Sequence, residues 1–327
     1  MTAPRDRRFD EATYAGKLPA SVRAEVLRDL QGTPRTLPPK LFYDARGAQL
    51  FEEICELDEY YLTRSELTIL RERVDEIAAL IGPQAVLVEY GSGAGVKVRM
   101  LLDALEAPAA YVPIDISTTQ LASVSYELGH QYPGLAIHPI GADFTAPLKL
   151  PPLPSTGRRV AFFPGSTIGN FHPAEAAAFL GRVRRTLGAN GAMVLGVDRR
   201  KDPARLEAAY DDARGVTAAF NLNMLARLNR DMGADFDLTA FRHRAPWNDE
   251  ASRIEMHLES LRNQTVHIDG TTIRFARGET IWTESSYKYD AERLETVVTS
   301  AGFELSRLWS DANDDFWLTY LEVSARG

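Results

Sequence analysis

The sequence predicts an α/β chain, with a doubly wound, Rossmann-like sheet of mostly parallel strands and a second domain of α+β character. Three observations carry that reading. Strand and helix signals alternate from about Val86 to Val197, the pattern of βαβ units with helices on both sheet faces. The apolar run Ala85-Val86-Leu87-Val88 feeds directly into Glu89-Tyr90-Gly91-Ser92-Gly93-Ala94-Gly95, a buried strand ending in a glycine turn. After Asp198 the alternation stops; Leu206 to Asn229 reads as helix, and short alternating segments run from Ile254 onward. These shifts bound a nucleotide-type domain at 66–197 and assign 1–65 and 198–327 to the second domain, which should roof the crevice beyond the strand carboxyl ends.

Taken in order, the elements narrow the ligand. Glycine in the first turn permits φ > 0 and lets the backbone close on a ligand, while the helix that follows offers free N–H groups. A dinucleotide fingerprint needs a third glycine where Val96 stands, and no Gly-Lys-Ser/Thr ends the loop, so neither a Rossmann dinucleotide site nor a Walker A loop fits. G-x-G-x-G after an acidic residue resembles instead the first motif of class I S-adenosylmethionine (SAM) methyltransferases. The second strand, Tyr111-Val112-Pro113-Ile114, ends in Asp115, where a doubly wound sheet holds a ribose diol. Leu135 to Ile140 gives a third strand, followed by Asp143-Phe144, an amine acceptor beside an aromatic face for a purine. Singly, each Asp reads as a cap or turn residue; in sequence, the three strand ends point to adenosine. Lys97, just inside the helix, is a candidate contact for a carboxylate-bearing tail. Pro147 to Pro154 is a crossover loop before the fourth strand, Val160 to Phe163, and Asp269-Gly270 turns a hairpin between Thr265-Val266-His267-Ile268 and Thr271-Thr272-Ile273-Arg274-Phe275.

Composition sets the surroundings. The chain has 327 residues, 45% of them hydrophobic, and a net charge of −8 with scattered Lys and Arg, so no basic stripe offers itself to nucleic acid. The polar opening Met1 to Arg8 lacks the apolar core of a signal peptide, and no run reaches membrane-spanning length. A cytoplasmic monomer acting on a small molecule is expected. Cys55 is the only cysteine and the histidines at 130, 138, 172, 243, 257 and 267 show no zinc-type spacing, so no metal is expected.

Longer segments are more distinctive: Leu37-Pro38-Pro39-Lys40-Leu41-Phe42-Tyr43-Asp44, Glu59-Tyr60-Tyr61-Leu62-Thr63-Arg64, Gly165-Ser166-Thr167-Ile168-Gly169-Asn170, Tyr210-Asp211-Asp212, Gly215 to Asn221, Arg253-Ile254-Glu255-Met256 and Thr283-Glu284-Ser285-Ser286. Together, from Leu37 to Trp317, the chain resembles the L-histidine Nα-methyltransferase (EgtD-like) family of ergothioneine biosynthesis. The resemblance implies trimethylation of the histidine α-amine by three SAM molecules, giving hercynine; a sister enzyme acting on tryptophan or tyrosine is the alternative. It implies a SAM site of Gly91, Lys97, Asp115, Asp143 and Phe144, the positions already reached from the strand ends. For the amino acid it implies Tyr60, Gly165, Asn170, Tyr210, Met256, Glu284 and Ser286, with Asn170 orienting the substrate and Tyr43, or a water it orders, the nearest acceptor for the amine proton. Glu284 and Ser286, two residues apart on a strand, share one face and can bind both imidazole nitrogens.

Overall fold

The computed structural model describes residues 18–154 and 156–324; the Met1 to Arg8 opening lies outside them. The chain begins with α1 (Ala20–Leu30), β1 (Arg35–Thr36) and α2 (Ala45–Cys55), then α3 (Tyr61–Ile81), a continuous helix across the expected boundary at residue 65. The alternating half follows as β2 (Val86–Tyr90), α4 (Val96–Ala104), β3 (Ala110–Asp115), α5 (Thr118–Gln131), β4 (Ala136–Ile137), β5 (Ile140–Gly141), β6 (Arg159–Phe163), α6 (Pro173–Leu187) and β7 (Ala192–Asp198). β4, β3, β2, β6 and β7 lie side by side and all parallel, with β5 also on β3. Every residue of β2 and β7 is buried, because helices cover both sheet faces; hence their continuous apolar runs. The single third strand expected over Leu135 to Ile140 is two short pieces, since Pro139 has no N–H to give the ladder.

The helix expected over Leu206 to Asn229 is also divided, into α7 (Pro203–Tyr210) and α8 (Val216–Met232). Gly215 takes φ +72° at the break, and the Asp212 carboxylate accepts from the backbone N–H groups of Val216 and Thr217 at 3.0 and 2.7 Å, capping α8. Then come β8 (Phe241–Arg244), β9 (Trp247–Asn248), β10 (Arg253–Ser260), β11 (Gln264–Ile268), β12 (Thr271–Phe275) and β13 (Thr280–Tyr287). β1, β13, β10 and β8 form a second sheet, with β9 added on β10. The hairpin β11–β12 turns on Asp269 and Gly270, both at positive φ, as a type I′ turn requires.

The last segment corrects the expected domain division. After α9 (Ala291–Ser300), strands β14 (Phe303–Ser310) and β15 (Phe316–Val323) return to the first sheet, β15 pairing antiparallel with β7 from Phe316↔Asp198 to Glu322↔Ala192. Without β15, the fully buried β7 would present an unpaired edge to water; with it, the first sheet has eight strands. The two sheets meet at the end of β7, where the Tyr289 N–H donates to the Asp198 carbonyl at 2.9 Å. Among the described residues, no helix is long and apolar enough to cross a membrane.

Candidate active site

β2, β3, β6 and β7 are parallel neighbours, so their carboxyl ends lie on one edge of the sheet, beside the point where strand order reverses. After β2, Gly91, Gly93 and Gly95 take φ of +76°, +49° and +70°. A Cβ on Gly91 would stand 3.7 Å from the Phe144 ring, so the loop and that ring face each other. Asp115 ends β3 and accepts from the N–H groups of Gly93 at 3.1 Å and Ser117 at 2.8 Å. Burial outweighs these bonds and raises its carboxyl above the ordinary value. The buried Ser92 hydroxyl in the same loop has no partner among the described residues. Backbone room, an acceptor at a strand end, an unanswered hydroxyl and an aromatic face fit an adenosine-bearing group such as SAM.

Asp143 and Lys97 are more committed than their positions suggested. One Asp143 oxygen accepts from the N–H and hydroxyl of Thr145 at 2.9 and 2.5 Å, while the other lies 3.9 Å from Lys40 Nζ, a distant pairing that leaves room for a ligand amine to donate to it. Lys97 Nζ lies 2.5 Å from Glu66, a fully buried carboxylate that also accepts from the Gly165 N–H at 2.9 and 3.0 Å. Sequence reading missed Glu66. Its trace is Gly196 on β7, where a Cβ would stand 2.5 Å from a Glu66 oxygen. An ammonium has three donors, so Lys97 can hold Glu66 and a ligand carboxylate together.

Next to these strand ends, Tyr43, Tyr60, Gly165, Asn170, Tyr210, Met256, Glu284 and Ser286 line one cavity, joined by Phe51, Ile54, Thr217 and Phe220. The cavity gathers every residue expected for the amino acid, apolar and aromatic side chains with a few convergent polar groups, the make-up of a small-molecule site. Tyr43 comes from the turn before α2. There Asp44 accepts from the Gly47 N–H at 2.7 Å and from Asn223 Nδ2 at 2.8 Å, and pairs with Arg230 at 2.9 Å. Asn170 follows β6 in a short 3-10 turn, entered through Gly165 at φ +77° and Ser166 at φ +59°. Met256 on β10 stands opposite Glu284 on β13, one wall apolar and one acidic.

Two side chains carry chemistry unlike their neighbours. The Glu284 carboxylate is buried and accepts no hydrogen bond from any described residue; burial pushes its pKa up to about 7, against the opposing pull of Lys288. Burial, with the charges of Glu284 and Asp115, holds the Tyr43 phenol far above its ordinary value. Burial thus favours the neutral phenol, which can give or accept a hydrogen bond and so order a water beside the amine. Behind the cavity, Lys288 Nζ contacts Asp198 at 2.6 Å, Tyr210 Oη at 2.9 Å and Ser286 Oγ at 3.0 Å, while Tyr210 and Ser286 lie 2.7 Å apart. Tyr61 donates to both Asp198 oxygens at 2.9 Å, and Lys201 lies 2.5 Å from one. Burial opposes ionisation of Asp198, and the two ammoniums overcome it, holding its carboxyl below the ordinary range. Nothing in the local sequence around Lys288 marked it.

Comparison with known proteins agrees with this geometry. Residues 22–323 match the family described as histidine-specific methyltransferase, SAM-dependent. The chain is 44% identical to a histidine N-alpha-methyltransferase of Mycolicibacterium smegmatis over 91% of its length and 94% of the relative's. It is 41% identical to one of Mycobacterium tuberculosis, with the same coverage. It is also 35% identical to ergothioneine biosynthesis protein 1 of Neurospora crassa, across 86% of this chain but 32% of that longer protein.

Proposed function

The chain belongs to the histidine-specific, SAM-dependent methyltransferase family, and from that premise we propose that it methylates the α-amine of L-histidine at the Glu284 cavity, in ergothioneine biosynthesis, with trimethylated hercynine as product. The observation that carries the substrate reading is the buried Glu284 carboxylate with no donor among the described residues. Burying such a group is costly unless a ligand answers it, and an imidazole N–H does so. Tryptophan, the leading alternative, has one indole N–H and no ring acceptor for the Ser286 hydroxyl, while tyrosine would set a phenol where two ring nitrogens are accommodated.

When bound, SAM supplies a methyl group on a sulfonium, open to in-line attack by nitrogen. The task of the chain is to hold an uncharged amine on that line. Asn170, at the carboxyl end of β6 and on the cavity wall, is suited to orient the amine and carboxylate. The neutral Tyr43 phenol can position a water that receives the amine proton, and the Phe51 and Phe220 rings supply apolar wall beside it. Proximity and exclusion of water then lower the barrier. Asp115 and Asp143 are assigned to the adenosine portion, and Lys97 to its carboxylate tail.

Mass spectrometry of histidine incubated with the protein and SAM should show a gain of three methyl groups. A histidine mass that does not change, with SAM bound in a parallel calorimetric titration, would falsify the substrate assignment.

A further inference from the structure

Lys288 lies on no wall of the cavity, and its side chain is fully buried. Its three donors are all engaged, on Asp198 at 2.6 Å, Tyr210 Oη at 2.9 Å and Ser286 Oγ at 3.0 Å. Tyr210 and Ser286, which do reach the cavity, share a further bond of 2.7 Å. Each hydroxyl has one proton. The phenol, more acidic than an alcohol, is the better donor of the two, and Lys288 fills an acceptor position on both oxygens alike. Either oxygen could donate in the bond between them, and the greater acidity of the phenol assigns the donor role to Tyr210. Ser286 Oγ then accepts from both Tyr210 and Lys288, which fills its two lone pairs and leaves its proton for the cavity. Two residues away on β13, Glu284 offers acceptors only once it is ionised.

We propose that Lys288 is a positioning residue for substrate selection: with Asp198 behind it, it makes Ser286 an obligate donor beside the Glu284 acceptor, so that the pocket selects a ring with one N–H and one bare nitrogen. This rests on the histidine reading of the cavity. A neutral imidazole satisfies both groups, with its N–H on Glu284 and its lone pair facing the Ser286 proton. A ring lacking the bare nitrogen leaves that proton unanswered. The ammonium also strengthens the donor, because a hydroxyl that accepts from a cation gives up its own hydrogen bond more strongly.

Ligands that separate the two nitrogens test this. The thiazol-4-yl and thiazol-5-yl alanines keep an acceptor nitrogen at one or the other ring position and have no N–H; pyrrol-3-ylalanine keeps an N–H and has no acceptor. Affinities are read by calorimetry with S-adenosylhomocysteine present. The variants are Lys288→Met and the double variant Lys288→Met, Asp198→Asn, which removes both charges of the pair and leaves no uncompensated buried carboxylate. The expected result is a loss of about tenfold for histidine and for the better thiazolyl ligand, with pyrrolylalanine within about twofold of wild type. Ser286→Ala, with Lys288 retained, gives the same pattern, and Glu284→Gln the reverse. An equal loss for all ligands makes Lys288 merely structural and overturns the proposal, as does unchanged histidine affinity in a folded variant. If the wild type binds S-adenosylhomocysteine but neither histidine nor any analogue, the histidine reading itself fails and the inference goes with it.

Discussion

Replacing Glu284 by Gln should make the ligand-free protein more stable while making it a poorer histidine binder. Burial raises the Glu284 carboxyl from its ordinary 4.5 to about 7. Below pH 4.5 both folded and unfolded chains carry a protonated Glu284, so the residue imposes no cost. Between pH 4.5 and 7 the unfolded chain releases the proton while the folded one keeps it, and stability falls as pH rises. Above 7 the loss is complete. The gap between about 7 and 4.5, at about 1.36 kcal/mol per pH unit, gives a cost of about 3 kcal/mol. Gln keeps the shape and never ionises, so it escapes that loss. For a chain of 327 residues, at roughly 2.1 cal/mol/K of unfolding entropy per residue, this is about 5 °C in Tm. The assay is a pair of thermal unfolding series, wild type and Glu284→Gln, from pH 4 to pH 8.5 without ligand. The curves should meet near pH 4.5, diverge to pH 7 and run parallel above it. The same variant should lose about 1–3 kcal/mol of histidine affinity, since the imidazole N–H loses a charged acceptor, with SAM affinity unchanged. A Tm difference that does not change with pH would refute the buried, ligand-answered carboxylate on which the substrate reading depends.

Asp115→Ala should remove charge-assisted hydrogen bonds of roughly 1.5–3 kcal/mol each, and SAM affinity measured by calorimetry should fall by about an order of magnitude or more; an unchanged affinity removes Asp115 from the ribose. Asn170→Ala should leave SAM affinity nearly intact and lower histidine turnover, whereas equal loss of both would make Asn170 structural. Tyr43→Phe should lower kcat/KM by about tenfold and leave the shape of its pH profile unchanged, because a phenol held far above its ordinary pKa does not titrate in the working range; loss of an ionisation from that profile would restore Tyr43 as the base. Gly196→Ala should lower the Tm, since its Cβ would stand 2.5 Å from a Glu66 oxygen and 3.0 Å from the Phe316 ring; an unchanged Tm would mean that Glu66 can move freely.

The sequence by itself determined the local chemistry. Alternating strand and helix signals, the Gly91 to Gly95 turn, Asp115 at a strand end and the Asp269-Gly270 hairpin are all written within a few residues, because backbone sterics and side-chain periodicity act at that range. Its longer segments also carried the family resemblance, and with it the residues now seen around one cavity. What waited for the tertiary structure was pairing across long separations. Whether β15 belongs to the second domain or closes β7 depends on which edge needs covering, and no local pattern near Phe316 records that need. The pairing of Lys97 with Glu66 likewise depends on how α3 lies against the first sheet, and Lys288 reaches Tyr210 only because α7 and β13 converge. The ionisation states followed the same rule: Glu284 and Tyr43 have ordinary values in an open chain, and burial, a property of the whole packed molecule, moved both.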